Sequence, residues 1–222
     1  MSTQQLKLLR VLQLVSPSLP IGNYAYSQGL ESAIEFGWVK DANTLQDWLS
    51  GLLCQSLAYN DIPILMRLYD AWKDDDIEAI EYWDRFMFSL RETRELQQED
   101  VQLSLALRRL LKQLGMIDDH SSTANSFLAS YAGCAYRWDI DKISAANAFL
   151  WTWAENQVMA AIKLMPVGQT DGQRLLFSLA EDIANVVNES LRVADEDIGY
   201  FSPGLGLLST HHETQYSRLF RS

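Results

Sequence analysis

Three histidines, His120, His211 and His212, bound the metal and acid–base chemistry open to this chain. A zinc-protease pair H-E-x-x-H that starts at His212-Glu213 needs a histidine at 216, where Tyr216 stands. Adjacent histidines project about 100° apart on a helix, so His211 and His212 do not easily share one ion within one chain. Across a two-fold axis they could share one; otherwise they are exposed or hydrogen-bonded polar residues. Cys54 and Cys134 form no C-x-x-C and have no nucleophile context, which reads as two buried thiols. Neither G-x-x-x-x-G-K-S/T nor G-x-S-x-G occurs. No catalytic residue, resident metal or cofactor is expected.

Two further groups of residues carry polar chemistry. Gly168-Gln169-Thr170-Asp171-Gly172-Gln173 follows Pro166 and opens a helix, where backbone N–H groups could receive an anion. Thr170 and Gln173 also match a capping box, which makes the glycines turn residues. Glu92, Glu95 and Glu99 lie in a helical segment running from about 92 to 114. Glu92 and Glu99 fall within roughly 20° of each other around such a helix. Leu103 and Leu110 continue the same line, so the acids extend an apolar stripe. A buried unpaired carboxylate is too costly. The acids therefore sit beyond the core's edge, pair with Arg91 or Arg94, or line a polar groove. Glu92, Glu95 and His120 around a cleft would make a small all-α hydrolase, an alternative without a nucleophile motif or metal cluster.

The elements that must position these residues are helices throughout. Leu6, Leu9, Leu12 and Val15 mark a first helix stopped by Ser16-Pro17 and Pro20. A glycine-containing stretch leads to a helix over 27–36, with Gly37 beyond its end. Asn43 and Thr44 cap the next, and Asp61 with Pro63 starts another. Asp74-Asp75-Asp76 breaks that one and favours the start of its successor. Further helices are expected around 123–136, 142–164 and 171–194, with a loop at 118–122. The fold class is an all-α, single-domain bundle of roughly eight to ten helices, with residues 1–194 as core and 195–222 as a C-terminal docking tail.

That tail differs in kind. Tyr200-Phe201-Ser202-Pro203-Gly204-Leu205-Gly206 breaks helical periodicity, and Thr210 with Glu213 fits a capping box. Tyr216, Leu219 and Phe220 then fall at i, i+3 and i+4, flanked by Arg218 and Arg221. A helix of about ten residues is marginal alone. The stripe either packs on its own bundle or orders on a partner.

Composition removes several function classes. The 222 residues include 18 Lys and Arg against 29 Asp and Glu, a formal charge of −11. Such a chain repels a phosphate backbone unless its cations cluster, so nucleic acid is not an expected partner. The longest apolar run, Val158 to Ile162, is far short of the roughly 20 residues a membrane span needs. No secretory leader pattern opens the chain, and the expected location is cytoplasmic.

Four segments in this order resemble the urease accessory protein UreF family. They are Ser16-Pro17-Ser18-Leu19-Pro20-Ile21-Gly22-Asn23-Tyr24-Ala25-Tyr26-Ser27-Gln28-Gly29-Leu30-Glu31, then Glu92-Thr93-Arg94-Glu95-Leu96, then Gly168 to Gln173, then His212 to Ser222. One departure is Leu103-Ser104, where something closer to Met-Gly is expected. The resemblance implies a non-enzymatic, dimer-forming protein that binds UreD (also called UreH) and the nickel-carrying GTPase UreG. The assembly would act on apo-urease to carbamylate its lysine and insert nickel, with GTP hydrolysis on UreG coupled to delivery. It implies partner-binding roles for Gly22, Tyr26, Ser27, Gly29, Glu31, Glu92, Glu95, Gln169 and Gln173. In the tail it implies the same for His212, Glu213, Gln215, Tyr216, Arg218, Leu219, Phe220 and Arg221, with the tail ordering against UreD. The alternative from another class is a helical adaptor unrelated to nickel.

Overall fold

A computed structural model describes residues 3–117, 124–200 and 202–222. The expected loop at 118–122, with His120, and Phe201 lie outside the described residues. Among the described residues there are ten α-helices and no strand. They are α1 (Thr3–Leu14), α2 (Leu30–Glu35), α3 (Ala42–Leu52), α4 (Asp61–Asp74), α5 (Ile77–Ser89), α6 (Arg94–Gln113), α7 (Phe127–Arg137), α8 (Lys142–Leu164), α9 (Gln169–Ser190) and α10 (Pro203–His212). The fold is the all-α bundle that the periodicity predicts.

Capping chemistry sets most of the boundaries. Asp41, one turn before the expected Thr44, caps α3: its carboxylate accepts the Thr44 N–H and the Thr44 hydroxyl accepts the Asp41 N–H. Asp75 ends α4 in a left-handed conformation, and Asp76 caps α5 by accepting from Ala79 N. Thr93 caps α6 through Leu96 N, which starts that helix at Arg94 and leaves Glu92 outside it. The expected acidic stripe therefore begins one turn later than the spacing suggests. Gly168 occupies the cap position of α9 without a side-chain bond, so Thr170 lies inside the helix and not at its cap.

The core is organised around α4 and α7. Helix α7 buries Leu128, Ala129, Ser130, Tyr131, Ala132, Gly133, Cys134 and Ala135 in succession. Its small residues let α4 come close: a Cβ on Gly133 would lie 2.9 Å from Trp72 Cε2, and Trp72 Nε1 donates to Ala129 O at 2.9 Å. Trp72 is an amphipathic anchor whose N–H has a partner, as a buried indole requires. Helix α6 lays Leu103, Leu107 and Leu111 on α7, while α8 packs on α9. Where the family resemblance leads one to expect glycine, Ser104 is buried and shares a hydrogen bond with Ser130 across α6 and α7.

The chain's end differs from the periodicity reading. Pro203 sits in the first turn of α10, where its missing N–H removes nothing, and the helix continues through Gly204 and Gly206 to His212. The expected helix after Thr210 does not form: residues 213–222 run as turns and irregular chain. Leu208, Ser209, His212, Phe220 and Ser222 are all buried.

Candidate functional site

The site begins with a backbone device in the first motif. Gln28 and Gly29 adopt consecutive left-handed conformations, with φ of 50° and 81°. For glutamine this is a sparsely populated state, held only where its surroundings demand it. Here Gln28 is clamped: Trp153 Nε1 donates to its Oε1 at 2.8 Å, and its Nε2 donates to Glu99 at 2.6 Å. The reversal brings Ser27 and Glu31, on either side of it, to face the C-terminal segment. Gly29 also lies under α10, where an added Cβ would meet Leu205 Cδ1 at 3.2 Å.

Three carboxylates then hold the C-terminal segment. Glu31, in the first turn of α2, accepts from Leu219 N at 2.7 Å and Phe220 N at 2.9 Å, and faces His212 Nε2 at 3.2 Å. Glu95 faces His212 Nδ1 at 2.6 Å and pairs with the Arg218 guanidinium. Glu99 accepts from Ser222 Oγ at 2.7 Å. Ser27 donates both its N–H and its hydroxyl to Ser222 O, and Arg221 N donates to Ala25 O at 2.9 Å. Thr93 and Ser209 share a hydrogen bond, Ser32 donates to Gln215, and Glu213 accepts from Glu95 N. Hydrogen bonds to ionised groups are the stronger kind, and most of this seat is made of them.

His212 is fully buried at the centre. A neutral imidazole has one N–H, so both carboxylates are satisfied together only when both ring nitrogens carry hydrogen. The two acids approach opposite ring nitrogens, so the trio is a hydrogen-bonded bridge and not a single metal cage. His211 turns away to the surface, its ring 4.9 Å from that of Phe36.

Most of the residues the sequence singles out converge here. Ser27, Gly29, Glu31, Glu95, His212, Glu213, Gln215, Arg218, Phe220 and Arg221 all contribute to or flank the seat. Phe220 points inward, with Lys163 Nζ 5.6 Å from its ring centre. Tyr216 is fully exposed and Leu219 largely so, the two facing solvent from the same strap. Gly22 stands apart in a left-handed turn with open space around it, and Tyr26 is buried beside a cavity. Glu92 is exposed on the α5–α6 connection. Gln169 and Gln173 are exposed on the first turns of α9, an element that gives this seat no hydrogen bond among the described residues. Glu92 and Glu95 thus serve different surroundings and form no shared acid–base pair.

Residues to which the sequence reading gave no role complete the site. Gln28, Thr93, Ser209 and Ser222 were legible only as polar letters, because their partners lie far away in the chain. Behind Glu99, Asp100 accepts from Phe127 N, and Arg91 pairs with Asp61 at 2.9 Å. The Arg91 partnership is therefore with Asp61 and Asp100, and the α6 glutamates are met by other groups. Burial pushes the Glu99 carboxyl up to about 7 and that of Asp100 up to about 6, against the opposing pull of their hydrogen bonds and of Arg91. Arg91 itself is held in its charged form by Asp61 and Asp100.

A family model, UreF, matches residues 39–180. A urease accessory protein UreF from Alkalilimnicola ehrlichii is 48% identical over 96% of this chain and 95% of its own length. The chain belongs to the UreF family. Proteins of the same name from Alcanivorax borkumensis and Teredinibacter turnerae are 42% and 43% identical, covering 96% and 97% of this chain and 97% and 99% of theirs. The UreF model match leaves out the first motif and the C-terminal segment, whereas the relatives extend over nearly the whole chain. Membership of this family makes it a urease accessory protein, and no described helix is long and apolar enough to cross a membrane.

Proposed function

We propose that the protein is a non-enzymatic scaffold of urease maturation in the cytoplasm. It would act as a homodimer that brings UreD (UreH) and the GTPase UreG to apo-urease and couples GTP hydrolysis to nickel insertion. In this reading the nickel is cargo. The observation that carries it is the C-terminal strap: Glu31, Glu95 and Glu99 seat its backbone and buried residues, while Tyr216 and Leu219 remain exposed. An exposed tyrosine and leucine beside an arginine, Arg218, on a fixed backbone are interface anchors whose ordering cost is already met. UreD is the partner assigned to this strap, with Arg221 contributing at its edge. The first motif, open at Gly22 and Tyr24, is assigned to the surface that receives UreG, and Glu92, Gln169 and Gln173 are assigned as partner contacts.

The test is urease activation in cells that lack their own UreF, combined with co-purification against UreD and UreG. Removal of residues 213–222 is the informative truncation, since cutting at Pro203 would also strip Leu208 and His212 from the core. Loss of UreD capture and of activation is expected. Full activation by the truncated chain would overturn the assignment of the strap.

A further inference from the structure

A cavity of about 80 Å³ lies between the first motif, α6, α7 and α8. One water needs only ~10–15 Å³ measured this way, so the space holds several waters or one small ligand. Its wall is chemically uneven. Five aromatic side chains line it, Tyr26, Phe127, Tyr131, Phe149 and Trp153. Three of them form a contiguous cluster, with Tyr131 and Phe149 ring centres 5.4 Å apart and Phe127 and Tyr131 centres 5.9 Å apart. Asp61, Glu99 and Asp100 also line it, against the single guanidinium of Arg91.

Two buried acceptors in the same wall have no hydrogen-bond partner, Asp100 Oδ2 and Gln157 Oε1. Both residues are almost completely buried, at 3% and 2% exposure. A buried acceptor without a donor costs about 1–3 kcal/mol, more when it is charged, so such groups point to something that fills the space. Water would meet the hydrogen bonds but would leave Asp61 and Asp100, with Glu99 part-ionised near neutral pH, beside a single guanidinium. Aromatic faces attract cations for the same electrostatic reason, most strongly where water is excluded.

We propose that this cavity is a binding site for a small organic cation bearing N–H donors, a primary ammonium or a guanidinium. The charged head would lie against the aromatic rings and donate to Asp100 Oδ2 and Gln157 Oε1. Charge and donors are both required, so a neutral donor and a donorless cation each supply half of what the wall asks for. The cavity shares Gln28 and Glu99 with the seat of the strap, whose exposed anchors lie on the outer surface.

The experiment is isothermal titration of the full chain with methylguanidinium chloride, at ionic strength matched with sodium chloride. Urea (donors without charge) and tetramethylammonium (charge without donors) serve as comparators. Methylguanidinium should bind at one site per chain, at least about tenfold more tightly than either comparator. Gln157→Leu should weaken it by about tenfold without lowering the urea midpoint, because it removes an unpartnered buried acceptor. Asp100→Asn should weaken it similarly; if that variant does not fold, Gln157→Leu decides alone. Absence of saturable binding, equal binding of urea or tetramethylammonium, or undiminished binding to Gln157→Leu would each overturn the proposal.

Discussion

Nδ1 of His212 lies 2.6 Å from a carboxylate oxygen of Glu95, across 117 positions of sequence. With Glu31 on the other ring nitrogen, one imidazole ties α10 to both α2 and α6. Removing it leaves Glu31 and Glu95 each short of a hydrogen-bond partner in a largely dry site, with Arg218 still on Glu95. Leaving a buried acceptor without its donor costs about 1–3 kcal/mol, and here two acids lose one bond each. His212→Ala should therefore lower the urea midpoint sharply and make residues 213–222 sensitive to proteolysis. His211→Ala, which loses only a surface ring contact with Phe36, should do neither.

The second prediction concerns pH. Glu99 and Asp100 titrate near 7 and 6 in the folded protein, above their ordinary values of 4.5 and 3.8. Between the unfolded and folded values the native state holds protons that the unfolded chain has released, so stability falls as pH rises through this window. The contribution is fully present below about pH 4 and absent above about pH 7. Urea titrations should give a higher unfolding free energy at about pH 5.5 than at about pH 8, by ~2 kcal/mol. Glu99→Gln should flatten much of that difference; the two neighbouring acids titrate together, so Asp100 retains a share.

Sequence periodicity located nearly every helix because most bury one face, although Leu6, Leu9 and Leu12 of α1 are exposed, and because Asp76 caps its helix with a local signal. The convergence of the first motif, Glu95 and the C-terminal segment was not legible, since no spacing links Ser27 to Ser222 and the family likeness implied only that these segments bind partners. Two local readings failed for definable reasons. Pro203 looked like a breaker but occupies a first-turn position, and Thr93 caps α6 so that Glu92, read as helical from its spacing, lies outside it. The cavity could not be read at all. Its wall draws on Tyr26, Asp100, Phe127 and Gln157, residues whose proximity exists only after α6, α7 and α8 pack.

A third prediction separates seat from anchor on the strap. Tyr216→Ala and Leu219→Ala remove exposed side chains and should leave the urea midpoint unchanged. On the proposed function each should weaken capture of UreD by about tenfold or more, as truncating an interface anchor does. Glu31→Gln gives the converse pattern. It weakens the bonds to Leu219 N and Phe220 N and should loosen the whole strap, seen as faster amide exchange at both positions. Equal loss of stability in all three variants would mean that the strap is only a structural closure.

The last prediction rests on two glycines with the same backbone and different neighbours. Gly22 and Gly29 have φ of 80° and 81°, so alanine at either meets the left-handed penalty of roughly 1–2 kcal/mol. At Gly22 nothing lies within 4 Å of the added methyl, and that penalty is the whole effect. At Gly29 the methyl would press on Leu205 Cδ1 at 3.2 Å and approach Leu208 Cβ and Ser209 N at 3.7 Å. Since α10 carries His212 into its bridge, a shift of this helix also strains the contacts with Glu31 and Glu95. Gly29→Ala should thus cost more than Gly22→Ala, by about 1 kcal/mol or more of overpacking. It should also expose residues 213–222 to protease, while Gly22→Ala leaves them protected. Equal costs, with the segment protected in both, would mean that α10 yields freely and that the first motif does not set the position of the strap.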